Sequence, residues 1–300
     1  MAVTLAKNAR DRALITMVIA ATAFGAMAFA AKIASAHIPA PEVAMIRMVI
    51  GLLPCILVPR YRRAALTYQR LDLILYRGFF GGVAVTLYFL AIEHTTAGIA
   101  TLLNYTAPIW SGLFSVAFIN ERFSPRVLLP LPVALVGIFL VVHAGTMGFG
   151  LWQIAGLLSA VCSGAAVTAM RAARRTEGSW AVYASFCLFG TLINAPFALA
   201  EWKTPSGHEW VALLATALFA MIAQLLLTFS LRWVDAMTVG VISQLAVLIS
   251  IFLGAIFLGE RITGLTAVGS ALTIAGVVGV TYVTSMDRHA TAADEVVPEA

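Results

Sequence analysis

The sequence predicts an all-α integral membrane protein with ten transmembrane helices, built as two inverted five-helix repeats around a central cavity. Three observations carry that prediction: composition, the spacing of apolar runs, and one internal offset that never changes. Of the 300 residues, 61% are hydrophobic and 11% charged, with mean hydropathy +0.94. Soluble domains are about half apolar and about a quarter charged, so lipid must cover the surplus. A span takes about 20 apolar residues; ten spans use most of the chain and leave no room for a soluble domain.

Apolar runs fall at 13–31, 43–58, 73–92, 97–119 and 127–142, then at 151–170, 181–200, 211–231, 237–258 and 265–283. Short polar connections occupy 60–72, 120–126, 171–179 and 201–209. The chain thus divides into an N-terminal segment (1–12), a first repeat (13–143), a second repeat (151–283) and an acidic tail (284–300) expected to be disordered. Lys7, Arg10 and Arg12 precede the first run, and Ala34-Ser35-Ala36 faintly resembles a cleavage site. That run is too long for a signal-peptide core, so it is read as a retained first span.

Lys and Arg accumulate on the cytoplasmic side of membrane proteins. With the N-terminus inside, the inner segments hold 14 of them, whereas the outer ones hold only Lys32, Lys203 and Arg261. Both termini are therefore expected in the cytoplasm of a cell whose inner membrane carries the protein. The net charge of +5 reflects this topology and not nucleic-acid binding, because the basic residues are scattered without interleaved aromatics. Cys55, Cys162 and Cys187 lie inside apolar runs, which excludes a disulfide framework and leaves packing or lipid contact.

The repeat appears at a constant offset of 139 residues. It places Ala97 on Ala236, Ala107 on Ala246, Ser111 on Ser250, Gly137 on Gly276 and Glu121-Arg122 on Glu260-Arg261. In the first helix it places Gly25-Ala26 on Gly164-Ala165 and Lys32 on Arg171. Each repeat holds five spans, an odd number, so the second starts from the opposite face of the membrane. Glu121-Arg122 then falls inside and Glu260-Arg261 outside, as the loop charges independently require. Inverted repeats let one site open alternately to either side, a design of secondary transporters.

At this point the residues resemble a known family. Phe24-Gly25, Lys32, Pro41 and Arg47 are similar to the opening of EamA-type members of the drug/metabolite transporter superfamily. Thr96-Ala97-Gly98, Leu103-Asn104-Tyr105, Ala107-Pro108 and Glu121-Arg122 continue the likeness. So do Asp235-Ala236, Ser243-Gln244-Leu245-Ala246, Gly259-Glu260-Arg261 and Gly269 to Gly276. The resemblance implies a five-plus-five inverted arrangement, a cavity open to one side at a time, and a subfamily most like YddG-type exporters of aromatic and other amino acids. One departure is Val247 where the first repeat has Pro108, which predicts unequal bending of the two equivalent helices.

Polar side chains at mid-span are expensive and mark candidate sites. Thr101, Asn104, Tyr105 and Pro108 lie in the fourth run, and the offset sets Ser243 and Gln244 opposite Asn104 and Tyr105. Ser163, Thr168, Asn194, Gln224 and Thr228 complete the polar set; the alternative for each is a hydrogen bond between helices. Pro108 removes a backbone donor and frees a carbonyl able to receive a substrate ammonium. Phe24, Met27, Tyr88 and Trp110 offer apolar faces, with Phe24 favoured because Gly25 admits a neighbouring helix. Gly78 and Gly82 have the spacing of a helix-packing contact. Arg47 and Arg77, the only charges well inside spans, are expected to snorkel to an interface, with contact to a substrate carboxylate at the cavity mouth as the alternative.

All 14 carboxylates lie in loops, tails or span ends, and the 5 histidines avoid mid-span. This predicts facilitated or exchange transport over obligatory proton coupling. His208-Glu209 lacks the second histidine of a zinc-protease motif, and no nucleophile elbow occurs; the sequence therefore implies neither an enzyme, nor a cofactor, nor a metal. The expected partners are a small zwitterionic substrate of the amino-acid class and the lipid bilayer, with no nucleic acid and no required oligomer. The alternatives are a drug or other metabolite exporter, a nucleotide-sugar or sugar-phosphate carrier, a channel and a membrane scaffold.

Overall fold

The computed structural model describes residues 2–119, 125–143, 150–174, 176–230 and 236–294. Among them are helices and one 3-10 turn (Pro125–Leu128), with no strand. The helices are α1 (Ala2–Ala34), α2 (Ala40–Leu57), α3 (Pro59–Leu66), α4 (Leu71–His94), α5 (Ala97–Asn104) and α6 (Ala107–Ile119). They continue as α7 (Pro130–His143), α8 (Leu151–Ala173), α9 (Ser179–Ala200), α10 (Gly207–Ser230), α11 (Ala236–Phe257) and α12 (Gly264–Asp294).

Eight of these (α1, α2, α4 and α8 to α12) are long and apolar enough to cross a membrane. The fourth and fifth expected spans depart from that standard. The fourth is split into α5 and α6, and the 14-residue α7 is about 21 Å long at 1.5 Å per residue, short of the roughly 30 Å of hydrocarbon.

Local chemistry explains the boundaries. Thr96 caps α5, its hydroxyl accepting from the Ile99 amide at 3.1 Å. Pro39 and Pro41 fix the backbone where α2 begins. The connection expected at 60–72 contains the short α3, in which no residue is fully buried and whose Tyr61 ring stacks on Trp180 at 4.0 Å. The apolar part of α12 ends at Val283, but the helix runs on to Asp294 through part of the tail expected to be disordered. No Gly or Pro interrupts residues 280–294, so nothing in that stretch stops it. Likewise α1 starts at Ala2, ahead of its apolar core, which begins at Leu14.

Packing repeats with the sequence offset. Helix α1 lies against α10 and α11, while its equivalent α8 lies against α4 and α5–α6. A Cβ on Gly25 would sit 2.6 Å from Ile249 Cγ2 and 2.9 Å from the Ala246 carbonyl oxygen; on Gly164 it would sit 2.7 Å from Trp110 Cβ and 3.1 Å from the Ala107 carbonyl oxygen. Ile249 and Ala246 stand 139 residues after Trp110 and Ala107, so the two crossings are one contact made twice. Helices α7 and α12 cross in the same self-similar way, Gly137 against Thr273 and Gly276 against Ala134. As one index falls the other rises, so these equivalent helices run antiparallel. The equivalent α2 and α9 do the same, with Gly51 at Tyr183 and Cys187 but Met48 at Gly190.

Connections sort into two groups by contact. In one, the Glu42 carboxylate accepts from the Lys203 amide at 2.9 Å, and Glu93 from the Ala40 amide at 3.1 Å. There too, the Lys32 ammonium donates to the Ile92 and Glu93 carbonyls at 2.8 and 2.9 Å, and Glu260 accepts from the Ala97 amide at 3.0 Å. In the other group, Glu177 accepts from the Gln69 and Arg70 amides at 2.8 and 2.7 Å. Glu121, Arg122 and Asp235 lie outside the described residues.

Candidate functional site

The site grows from the broken fourth span. Helix α5 stops at Asn104 and α6 begins at Ala107, because Pro108 has no amide proton and its ring collides with the carbonyl four residues back, that of Asn104. The backbone bridges the break with a Tyr105 amide bond to the Thr101 carbonyl at 2.9 Å and a Thr106 hydroxyl bond to the Leu103 carbonyl at 2.7 Å. The Tyr105 carbonyl instead receives the Gln244 side-chain amide at 3.3 Å. Gln244 is the repeat equivalent of Tyr105 and stands on the unbroken α11, where Val247 replaces the proline. Unequal bending of the equivalent helices is thus present, and a side chain of the straight helix satisfies the backbone of the bent one.

Around this break lies a cavity of about 190 Å³, many times the volume one water needs. Helices of both repeats line it. Of the twelve candidates, Phe24, Met27, Tyr88, Asn104, Tyr105, Pro108, Ser163, Gln224 and Ser243 border it. Asn104 donates to Ser159 at 2.8 Å and to Ser163 at 3.2 Å, joining α5 to α8. The Phe24 and Tyr105 rings meet edge to face at 6.4 Å. The Gln224 amide and the Tyr105 hydroxyl make no hydrogen bond among the described residues, so both are free to meet a solute.

Thr101, Thr228 and Gln244 do not border the cavity, and for a common reason. Each spends its polar atoms on backbone. Thr101 donates to the Ala97 carbonyl at 2.6 Å and pairs with the Tyr88 hydroxyl at 2.8 Å. Thr228 donates to the Gln224 carbonyl at 2.7 Å, and Gln244 is engaged at Tyr105. Trp110 is likewise absent from the lining and packs on Gly164. Gly78 and Gly82 pack against Phe189 and Gly190 of α9.

Sequence reasoning misjudged the two intramembrane arginines. Arg47 and Arg77 do not snorkel: they are 6% and 5% exposed, and both border the cavity. Arg47 lies 5.4 Å from the Phe89 ring and 5.8 Å from the Phe186 ring; Arg77 lies 4.3 Å from the Phe186 ring. Among the described residues, neither guanidinium has a hydrogen bond or ion pair and no carboxylate lines the cavity. An aromatic face returns about 0.5–2 kcal/mol to a cation, whereas a buried charge stripped of water costs several kcal/mol. The rings alone do not offset that cost, so the remainder falls to whatever occupies the cavity. A sequence signal did exist. Arg47 continues the buried stripe of Val43, Ala44, Met48, Gly51 and Cys55, and Arg77 that of Gly78, Gly81, Gly82 and Val85. A charge on a small-residue packing stripe faces protein and not lipid.

The helical bundle, the polar break and the central cavity define a membrane transporter. The chain belongs to the EamA-like transporter family, whose model matches residues 11–143 and again 150–282. It is 28% identical over 263 residues to the pseudopaline exporter CntI of Pseudomonas aeruginosa, covering 87% of this chain and 93% of that one. It is 27% identical over 283 residues to the threonine/homoserine exporter RhtA of Salmonella typhimurium, covering 89% and 90%. A more distant relative is human solute carrier family 35 member G1, 23% identical over 270 residues. A solved crystal structure shares the fold, with TM-score 0.67 at 21% identity over 92% of this chain. The family and these relatives are transporters and not enzymes.

Proposed function

We propose that the chain is an alternating-access exporter of small amino-acid-like metabolites, with ten spans in two inverted five-helix repeats and both termini in the cytoplasm. The antiparallel crossings of α2 with α9 and of α7 with α12 support inversion, because equivalent helices of parallel repeats would cross in parallel. The two groups of connections support the same sidedness as the loop charges: Lys32, Glu42, Glu93, Lys203 and Glu260 together, and Arg70 with Glu177 apart from them.

The observation that carries the functional reading is the central cavity, lined by both repeats with amide, hydroxyl and aromatic groups side by side. An α-carboxylate meets Arg47 or Arg77, an ammonium meets the Asn104–Pro108 backbone, and the side chain rests among Phe24, Met27 and Tyr88. Aromatic and other hydrophobic amino acids fit that apolar region. The lining draws on the last turns of α10 and the first turns of α11, which adjoin in sequence on the cytoplasmic side, so the cavity reaches inward. With no carboxylate in the lining among the described residues, transport is read as facilitation or exchange.

The test is counterflow in proteoliposomes. Vesicles loaded with unlabelled amino acid should accumulate labelled amino acid transiently and saturably, and Gln224→Ala and Tyr105→Ala should each weaken the effect. Linear, non-saturating flux would replace the carrier with a channel, and an imposed pH gradient driving uphill movement would replace facilitation with proton coupling.

A further inference from the structure

We infer that the transported solute carries at least two carboxylates besides its ammonium group, so that it is a net anion, and that Arg47 and Arg77 together form its receptor. This rests on the exporter reading above and moves its substrate class from neutral hydrophobic amino acids to acidic ones. A single α-carboxylate needs one guanidinium; of the three arginines that line the cavity, Arg171 has a partner of its own, which leaves Arg47 and Arg77 for the solute.

Both arginines stand against one ring, Phe186, at 5.8 and 4.3 Å, so their guanidinium carbons are at most about 10 Å apart. They come from different helices, α2 and α4, and point to a common space. Arg77 is independently short of partners: its Nε is buried without a hydrogen bond. The aromatic faces orient both planes while leaving their N–H edges free, and guanidinium edges match carboxylates in two-point fashion. A neutral zwitterion would leave one of the two cations uncompensated. A dianionic acid with one ammonium leaves neither, and its ammonium still has the carbonyl-rich break at Asn104–Pro108.

The charge also supplies a driving force. A solute of net charge −1 leaving a cell with a negative interior moves down the electrical gradient, so no titratable carboxylate is needed at membrane depth.

The experiment has a binding arm and a flux arm. In detergent, protection of the full chain against thermal unfolding is titrated with phenylalanine and threonine, which carry one carboxylate, and with glutamate and iminodiacetate, which carry two. The two-carboxylate probes should protect at concentrations at least about 10-fold lower. Arg77→Gln and Arg47→Gln should each erase that advantage while shifting the one-carboxylate probes less than about threefold, and exposed Arg60→Gln should change nothing. Where a Gln variant does not fold, Arg77→Lys, which keeps the charge but loses the fork, should show a partial loss. In proteoliposomes, the equilibrium ratio of glutamate should respond to an imposed potential by about 50-fold per 100 mV, and that of threonine should not respond. Equal protection by both probe classes, or Arg variants that weaken both alike, would overturn the assignment. Arg-dependent protection without any flux would leave the receptor standing and remove the exporter; counterflow of phenylalanine without preference for two carboxylates would do the reverse.

Discussion

The crossing of α7 and α12 allows a quantitative test of the symmetry. A Cβ on Gly137 would sit 2.4 Å from the Thr273 amide nitrogen, and one on Gly276 would sit 2.3 Å from the Ala134 amide nitrogen. Both neighbours are backbone and have no rotamer with which to yield. Ordinary contact begins near 3.4 Å, so the helices must part by about 1 Å. A gap of that size forfeits up to about half of each dispersion contact, and overpacking costs about 1–3 kcal/mol. Ala returns roughly 0.5–1 kcal/mol over Gly within a helix, leaving about 1–2 kcal/mol lost for either single substitution. The two sites face each other across one crossing, so a single separation accommodates both side chains. Gly137→Ala with Gly276→Ala should therefore cost about 1 kcal/mol less than the sum of the singles, within the range seen for residues in contact. Thermal unfolding at fixed scan rate reads this as about 2–4 °C per kcal/mol for chains approaching this size. Gly112→Ala, inside α6 with nothing within 4 Å of its Cβ, is the control and should gain roughly 0.5–1 kcal/mol. Strict additivity, or singles no worse than the control, would refute the shared crossing. No residue of α7 or α12 lines the cavity, so ligand protection should survive in all three variants.

Other expectations follow from single contacts. Gln244→Leu leaves the Tyr105 carbonyl without its donor and should cost about 1–3 kcal/mol of stability, whereas Tyr105→Phe keeps that carbonyl paired and should weaken ligand protection alone; equal loss of melting temperature in the two would contradict the patched break. Asn104→Ala removes both bonds to α8, and at about 1 kcal/mol each it should lower the melting temperature and weaken ligand protection together, since it releases the cavity-lining Ser163. Burial raises the Glu260 carboxyl pKa above its ordinary 4.5, against the Ala97 amide and Lys32. The folded chain then holds that proton more tightly than the unfolded one, so Glu260 contributes most below about pH 4.5 and loses ground as pH rises through the raised value. The melting temperature of wild type minus that of Glu260→Gln should fall over that window; a flat difference would remove Glu260 as its source.

Hydropathy made the spans legible because each must cover a fixed thickness with apolar side chains, and the 139-residue offset made the repeat legible because equivalent depths call for equivalent residues. Depth along a helix is what such patterns encode; azimuth is encoded more weakly. That is why nine candidates fell on the cavity while Thr101 and Thr228, correct in depth, turned to their own helix backbone. It is also why Arg47 and Arg77 were assigned to the interface. Their burial was written in the small residues spaced three and four positions away, a stripe that hydropathy averages out. The exact position of the break was unreadable for a different reason: Pro108 marks where a hydrogen bond is lost, but the chain yields two to three residues earlier, where Tyr105 and Thr106 relieve the clash.

The patched break has one more consequence. Two interchangeable halves would give inward and outward poses the same free energy, and the protein would rest in each for equal time. A hinge in one half facing a straight rod in the other removes that degeneracy. In the alternating-access cycle proposed above, the empty carrier therefore has a preferred resting pose.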